Sequence, residues 1–302
     1  LWFRTSYLMD IRQCGPVKAR ERFENYAAIP LQYEFPAWFD GTLEMPDRSG
    51  GSKPLPKAAI IREKGSQCDR EMAWMLYMAG FEVRDVHTTD LISGRETLDD
   101  IRLIVFVGGF SNADTLGSAK GWAGAFLYNP KAKETLDRYY ARKDTLSLGV
   151  CNGCQLMAEM GLITPAAREK SPKIKPNESG KFECNFVNVT IEGSNSVFLK
   201  SLQGSRLGIW VAHGEGRFSL PQEGDYAVAA RYSYDKYPAN PNGSPGAVAA
   251  VTSACGRHLA MMPHPERSIY PWNWAYYPAE RASDAVSPWL RMFIDARRFC
   301  MQ

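Results

Sequence analysis

The chain has 302 residues, 45% of them hydrophobic and 23% charged, and a formal net charge of +3. That is enough chain to bury a large core, in the proportions of an ordinary globular protein. Lys and Arg are scattered among acids, and no apolar run approaches the roughly 18–20 residues of a membrane span, so no nucleic acid and no membrane are expected as partners.

No apolar targeting segment or cleavage site follows Leu1-Trp2-Phe3-Arg4. The seven cysteines are odd in number and mostly far apart, which suits a reducing, cytoplasmic location better than a disulfide framework. The chain opens without Met and runs straight into Trp2 to Tyr7, so it reads as a piece of something longer, although processing would look the same.

A helix is predicted from Val17 to Ala28, ending before Pro30. Residues 36–56 then carry Pro36, Gly41, Pro46, Gly50, Gly51, Pro54 and Pro56, a density of breakers that reads as a linker. The core domain is expected to begin at Lys57. Ala58 to Ile61 reads as a strand, Asp69 to Met78 as a helix stopped at Gly80, Phe81 to Val86 as a strand, and Leu103 to Val107 as a buried strand. Gly108-Gly109 follows, then helical stretches through Tyr140, then a strand ending at Cys151. Repeated βα units predict an α/β fold with a doubly wound, mostly parallel sheet and its ligand site at the C-terminal strand ends. After Pro165, segments 182–191, 207–212, 226–232, 247–252 and 258–262 read as strands of an antiparallel extension of that sheet, and Pro288 to Phe299 as a closing helix.

In Leu146 to Met157 an apolar strand stops at a Gly-flanked cysteine and a helix starts at once. This is the logic of a nucleophile elbow, in which glycines permit the turn and backbone N–H groups can hold an oxyanion. A helix N-terminus also favours the thiolate of a cysteine held there. The pattern points to acyl transfer by Cys151. Cys151-x-x-Cys154 is also the spacing of a redox dithiol or of half a zinc site. No second such pair completes the zinc set, and a dithiol leaves Gly149 and Gln155 unexplained. Cys154 is expected to face inward as a small residue.

A cysteine nucleophile needs a base and the base an orienting group. Met262-Pro263-His264-Pro265-Glu266-Arg267 follows a strand, and in extended backbone residues two apart share a side, so Glu266 can reach the imidazole of His264. A rigid loop with a surface ion pair would read the same. Gly108-Gly109-Phe110-Ser111 is either a tight βα turn or a source of oxyanion donors opposite Cys151. His213-Gly214-Glu215-Gly216-Arg217, after another strand, is a surface hairpin or a binding loop. The aromatic run Tyr270 to Tyr277 is expected to be an interface.

Gly149 to Gln155 followed by His264 to Arg267 resembles the class I (triad) glutamine amidotransferases, whose glutaminase fold is flavodoxin-like. Within that class, Gly108 to Ser111 and Ala212 to Arg217 are similar to the glutaminase domain of a long single-chain synthase of purine biosynthesis. The resemblance implies catalysis by Cys151, His264 and Glu266, with oxyanion donors at Gly108, Gly109 and Asn152. It implies glutamine binding by Phe110, Gln155, His213, Gly214 and Glu215, and no metal or cofactor in this chain. Residues 1–56 would then connect residues 57–302, the glutaminase domain, to an upstream synthetase region of the same polypeptide. That region would bind ATP and Mg and use the ammonia to aminate formylglycinamide ribonucleotide. One loop departs from the family pattern. Asn112-Ala113 stand where an aromatic and a glycine are usual, which bears on the loop's shape and on Asp114 but not on the triad. The readings beside this one are a stand-alone glutaminase subunit, a cysteine hydrolase on a similar sheet, and a non-catalytic redox module.

Overall fold

Leu103–Phe106 and Leu146–Val150 are strands in which every side chain is buried. Strands covered on both faces need a layer above and a layer below, and helices supply both. The computed structural model describes residues 2–43, 45–46, 54–222 and 224–302. It begins with α1 (Trp2–Asn25), β1 (Lys57–Arg62), α2 (Asp69–Ala79), β2 (Glu82–His87), α3 (Thr88–Ser93) and β3 (Leu103–Phe106). There follow α4 (Lys120–Leu127), α5 (Pro130–Ala141), β4 (Leu146–Val150), α6 (Asn152–Glu159), β5 (Lys173–Pro176) and β6 (Glu183–Ile191). The last are β7 (Arg206–His213), β8 (Glu215–Ser219), β9 (Tyr226–Tyr232), β10 (Val248–Ser253), β11 (His258–Met261) and α7 (Leu290–Cys300).

Nine strands form one sheet in the order β2-β1-β3-β4-β11-β10-β9-β6-β7. From β2 to β11 neighbours run parallel, and from β11 to β7 they run antiparallel. The α/β class and the antiparallel extension are as the sequence predicts. Helix α2 packs against α7, while α3, α4, α5 and α6 pack among themselves, which gives the two flanking layers. The ribbon β5–β8 stands apart from the main sheet and has no counterpart in the sequence reading. Lys173-Ile174-Lys175-Pro176 is short and charged, and β8 starts inside the glycine-rich run that reads as a loop.

The first 43 residues differ from expectation. Helix α1 covers Trp2–Asn25 rather than Val17–Ala28, because Gly15 (φ 78°, ψ 166°) breaks it into two helical stretches. Pro16 opens the second stretch, where a missing N–H costs nothing. Glu34 exchanges backbone hydrogen bonds with Arg206 at 2.8 and 3.0 Å, and the Gly41 carbonyl accepts from the Ala285 N–H at 2.8 Å. Tyr33 and Phe35 pack edge-on against Trp274 at 5.0 and 5.9 Å between ring centroids. The described part of the predicted linker is thus docked, and its Gly50 and Gly51 lie outside the described residues. The same contacts make the Tyr270 to Tyr277 run an interface within the chain: Trp274 is buried there, whereas Trp272 faces solvent.

Candidate active site

Strand β4 ends at Val150, α6 begins at Asn152, and Cys151 between them has φ 51°, ψ −106°. That is a conformation an L-residue adopts at a cost and only where its surroundings enforce it. Two glycines enforce it. A Cβ on Gly149 would lie 2.5 Å from the Gly153 carbonyl oxygen, and one on Gly153 would run into the Phe106 carbonyl. Only bare backbone lets α6 sit this close to β3 and β4. The Cys151 N–H donates to the Met261 carbonyl of β11 at 2.9 Å, and its thiol donates to the Ala212 carbonyl of β7 at 3.4 Å. The thiol therefore sits where the ends of β4, β11 and β7 meet.

His264 arrives from β11. Its N–H donates to the Trp210 carbonyl at 2.8 Å, which clamps it to β7. Its Nδ1 lies 2.6 Å from Glu266 Oε1, with both side chains buried. The pairing is as predicted, but its geometry differs: Pro265–Arg267 form a 3-10 turn after an extended His264, and the turn brings the carboxylate round. Burial opposes the imidazolium, yet the Glu266 carboxylate and the neighbouring thiols outweigh it and hold the His264 pKa well above its usual value. With Nδ1 engaged, Nε2 is left without a hydrogen bond.

Gly108 passes directly beneath this pair: a Cβ there would stand 2.9 Å from His264 Cε1 and 3.6 Å from Cys151 Cβ. In the following turn, Phe110 N–H is taken by the Gly65 carbonyl at 2.9 Å and Ser111 N–H by Asn152 Oδ1 at 3.2 Å. Gly109 (φ 122°) stands just before them in the turn. The N–H of Asn152 belongs to the first turn of α6, where helical N–H groups lack intrahelical partners.

Asn152 and Gln155 brace the site. Asn152 Nδ2 donates to Gln155 Oε1 at 2.8 Å, and Gln155 Nε2 donates to the Glu215 carbonyl at 2.6 Å. With the Ser111 bond, this relay ties the Gly108–Ser111 turn, α6 and the start of β8 together. Both ends of the Gln155 amide are committed to it. Glu215 Oε1 accepts from the Ser118 N–H at 3.3 Å, and the Gly214 carbonyl from the Asn177 N–H at 2.9 Å. His213 is buried, its Nε2 accepts from Asn242 Nδ2 at 3.2 Å, and Nδ1 has no partner. Burial first and the charge on His264 second push its pKa down to about 3, so it is a neutral ring carrying its proton on Nδ1. Gly216 makes room for that ring, since a Cβ there would collide with it. Phe110, half-exposed, pairs with the half-exposed Phe182 at 5.9 Å, beside Gly109 and Gly214.

Cys154 is fully buried, and burial, then the charge at Cys151, raise its pKa well above the usual thiol value. A thiol held neutral in this way is a poor partner for exchange. Four residues of the site escape the sequence reading. Cys68 lies at the head of α2, and its sulfur accepts from Arg267 Nη2 at 2.7 Å. Asn177 and Asn242 buttress the His213 loop. Arg267 follows the His-Pro-Glu run directly, which is a usable signal. Cys68 carries none, because it is brought to the site by long-range pairings such as the bond from Gln67 N–H to the Gly108 carbonyl at 2.7 Å.

A family model for a CobB/CobQ-like glutamine amidotransferase domain matches residues 55–300. The chain is 49% identical over 264 residues to the Arabidopsis thaliana protein named "Probable phosphoribosylformylglycinamidine synthase, chloroplastic/mitochondrial", covering 80% of this chain and 19% of that one. It is 42% identical over 330 residues to the phosphoribosylformylglycinamidine synthase of Homo sapiens, covering 100% of this chain and 24% of that one. The chain thus spans about a quarter or less of the length of these relatives. Among solved structures, PurLQS from Thermotoga maritima superposes with a TM-score of 0.65 at 28% identity, over 82% of this chain and 99% of that one. A glutamine amidotransferase of Thermotoga maritima shares the fold alone, with a TM-score of 0.50 at 15% identity over 83% of this chain and 100% of that one.

Proposed function

Because the chain belongs to the CobB/CobQ-like glutamine amidotransferase family, we propose that Cys151, His264 and Glu266 hydrolyse glutamine to glutamate and ammonia. The reading rests on one observation above all: a cysteine in a strained elbow at a helix N-terminus, beside a buried histidine–glutamate pair 2.6 Å apart. Cys151 sulfur, its proton already passed to His264 Nε2, attacks the side-chain amide carbon of glutamine, which accords with the raised His264 pKa. The carbonyl oxygen of the tetrahedral adduct becomes an oxyanion facing the N–H groups of Gly109 and Asn152. His264 returns the proton to the leaving nitrogen, ammonia departs, and a glutamyl thioester remains. Water, deprotonated by His264, then cleaves the thioester to free glutamate and the thiol. Glu266 keeps Nε2 facing the sulfur and supports the imidazolium.

Gln155 acts through the Asn152–Glu215 relay, and His213 offers its Nδ1–H as a donor for the polar end of glutamine beside Gly214, Glu215 and Phe110. The ammonia serves a synthetase domain of the same longer polypeptide, as the names of the long relatives suggest, where formylglycinamide ribonucleotide becomes its amidine. ATP and Mg belong to that region, and no residue of this chain is assigned to them. A cytoplasmic location accords with the seven free thiols. Among the described residues no helix is long and apolar enough to cross a membrane.

The test is covalent. An electrophilic glutamine analogue is expected to label Cys151, with protection by glutamine, in the parent and in Cys154→Ala, and not in Cys151→Ala. Label at Cys154, or on several cysteines without protection, would sink the triad and favour a redox module.

A further inference from the structure

Glu266 is followed at once by an arginine, yet the two do not bond. Glu266 Oε1 lies 2.6 Å from His264 Nδ1, while Oε2 is buried and finds no hydrogen-bond partner among the described residues. A guanidinium beside a half-free buried carboxylate is the natural claimant for it, because Arg–carboxylate bonds are among the strong ones in proteins. Arg267 Nη2 instead donates to the sulfur of Cys68 at 2.7 Å. That sulfur lies within 4.8 Å of a nitrogen of His264 and an oxygen of Glu266, and all three side chains are buried. A Cβ on Gly108 would stand 3.7 Å from it and 2.9 Å from His264 Cε1, so thiol and imidazole border the same gap.

Backbone holds the thiol there. Cys68 precedes α2 with φ 66°, its carbonyl accepts from the Met72 N–H at 3.0 Å, and the Gln67 N–H donates to the Gly108 carbonyl at 2.7 Å. Helix α2 in turn packs against the 3-10 turn Pro265–Arg267. The fold thus fixes the acceptor independently of Arg267. We propose that Cys68 is a positioning residue: its sulfur diverts the Arg267 guanidinium from Glu266, so that the carboxylate serves His264 alone. Without the sulfur the half-buried guanidinium loses that acceptor, and Glu266 Oε2, on the adjoining residue, is a buried acceptor still to be satisfied. A guanidinium bonded there would draw on the carboxylate and place a positive charge beside the imidazolium, and each effect lowers the His264 pKa. The other groups facing His264 stay as they are: the Cys151 thiol at the head of α6 and the neutral His213 ring at the end of β7. The consequence for catalysis rests on the glutaminase reading of this site, whereas the seating of Arg267 does not.

The experiment titrates His264 directly by NMR, in the 302-residue chain carrying a carbon isotope label at histidine Cε1. The chain has four histidines, and the signal that disappears in His264→Asn is the one to follow. In Cys68→Ala its pKa should fall by about one pH unit or more, the effect of losing one favourable charge partner. Cys68→Gly also removes the sulfur and accepts φ 66° without strain, so the same fall there rules out a folding defect at this position. Cys68→Ser keeps an acceptor and should retain most of the parent value. In an Arg267→Met background, with no guanidinium left to divert, Cys68→Ala should hardly move the pKa, and that coupling is what a double-mutant cycle reads. No fall in Cys68→Ala and Cys68→Gly, or an equal fall with and without Arg267, would overturn the role of Cys68. Labelling of Cys151 by the glutamine analogue separates this from the glutaminase reading. A fall in pKa matched by the basic limb of the labelling profile supports both. A fall with an unmoved profile keeps the role of Cys68 and removes His264 from the reaction. Glutamine-protected label at Cys151 with no fall does the reverse.

Discussion

The Arg22 guanidinium lies 2.9 Å from the carboxylate of Glu183 and joins α1 to the strand whose first residue pairs with His213 across the β6–β7 ladder. Glu183 is buried, and Tyr237 completes the cluster by donating to Glu183 Oε1 at 2.8 Å and accepting from Arg22 at 2.6 Å. Removing one partner of a buried ion pair leaves an uncompensated charge, at about 3–5 kcal/mol when burial is complete. Arg22 is one-third exposed, so Arg22→Ala should cost less, about 1–3 kcal/mol. Adding Glu183→Gln, which removes the stranded charge and keeps the shape, should recover part of that loss. Urea midpoints of the three variants measure both effects. A double variant no more stable than Arg22→Ala would mean that Glu183 is not the group left stranded.

Two buried histidines set an acid limit on stability. Burial, with a lesser contribution from a neighbouring positive charge in each case, holds His213 and His258 at a pKa of about 3. In the unfolded chain both titrate near about 6.5. Between those values the unfolded state binds more protons, so stability falls as pH falls, by up to about 1.4 kcal/mol per pH unit for each ring. His264 works the other way. Its folded pKa is raised, so its contribution is complete below about pH 6.5 and is lost as pH rises through the folded value. Melting temperatures between about pH 5 and about pH 6.5 should therefore fall steeply toward acid. His258→Asn, which keeps a polar group beside Ser147 but cannot titrate, should flatten the slope by roughly half. An equal slope in parent and variant would show that His258 binds its proton in the folded state.

What was legible in the sequence was local. The βα alternation from Lys57 to Cys151 rests on hydrophobic runs and breakers a few residues apart, and His264 and Glu266 are two residues apart. The strained Cys151 could be read from Gly149 and Gly153, whose missing side chains the packing against Phe106 and Met157 requires. What escaped depends on distant pairings. Arg22 meets Glu183 across 161 residues and Arg267 meets Cys68 across 199, and of these four only Arg267 sits in a run that the sequence singles out. The helical stretch that follows Pro16 was legible from Val17 onward, whereas the stretch from Trp2 up to the break at Gly15 was not read as helix. Gln155 was assigned to glutamine by resemblance. The fold commits both ends of its amide to Asn152 and Glu215, a role that no spacing along the chain announces.

Glu266→Gln should separate orientation from charge at His264. The amide is nearly the size of the carboxylate and can still meet Nδ1, but it cannot support an imidazolium. The His264 pKa, now held up chiefly by Glu266 against burial, should fall. The rate of Cys151 labelling by a glutamine analogue should drop on the order of 10²-fold, within the range of general acid–base contributions. Its pH profile should shift toward acid, which a merely structural loss would not produce. Labelling at the parent rate with an unmoved profile would remove Glu266 from the mechanism.

The turn after Gly109 carries backbone strain that one substitution should relieve. Asn112, Ala113 and Asp114 have φ of 52°, 54° and 50°, three successive left-handed residues of which none is glycine. Left-handed backbone costs an L-residue roughly 1–2 kcal/mol, less for Asn and Asp, whose short polar side chains bond locally. Ala113 has no such compensation. Ala113→Gly removes the Cβ penalty but enlarges the unfolded ensemble, an opposing effect of about 0.4–1 kcal/mol. The net gain should be about 1 kcal/mol or less in urea unfolding. Ala113→Val, β-branched and stiff, should lose stability and slow Cys151 labelling, because the same turn delivers Ser111 N–H to Asn152 Oδ1 and so holds the head of α6. If glycine destabilises and valine is neutral, the left-handed turn is not the solution conformation and the Ser111–Asn152 brace must form differently.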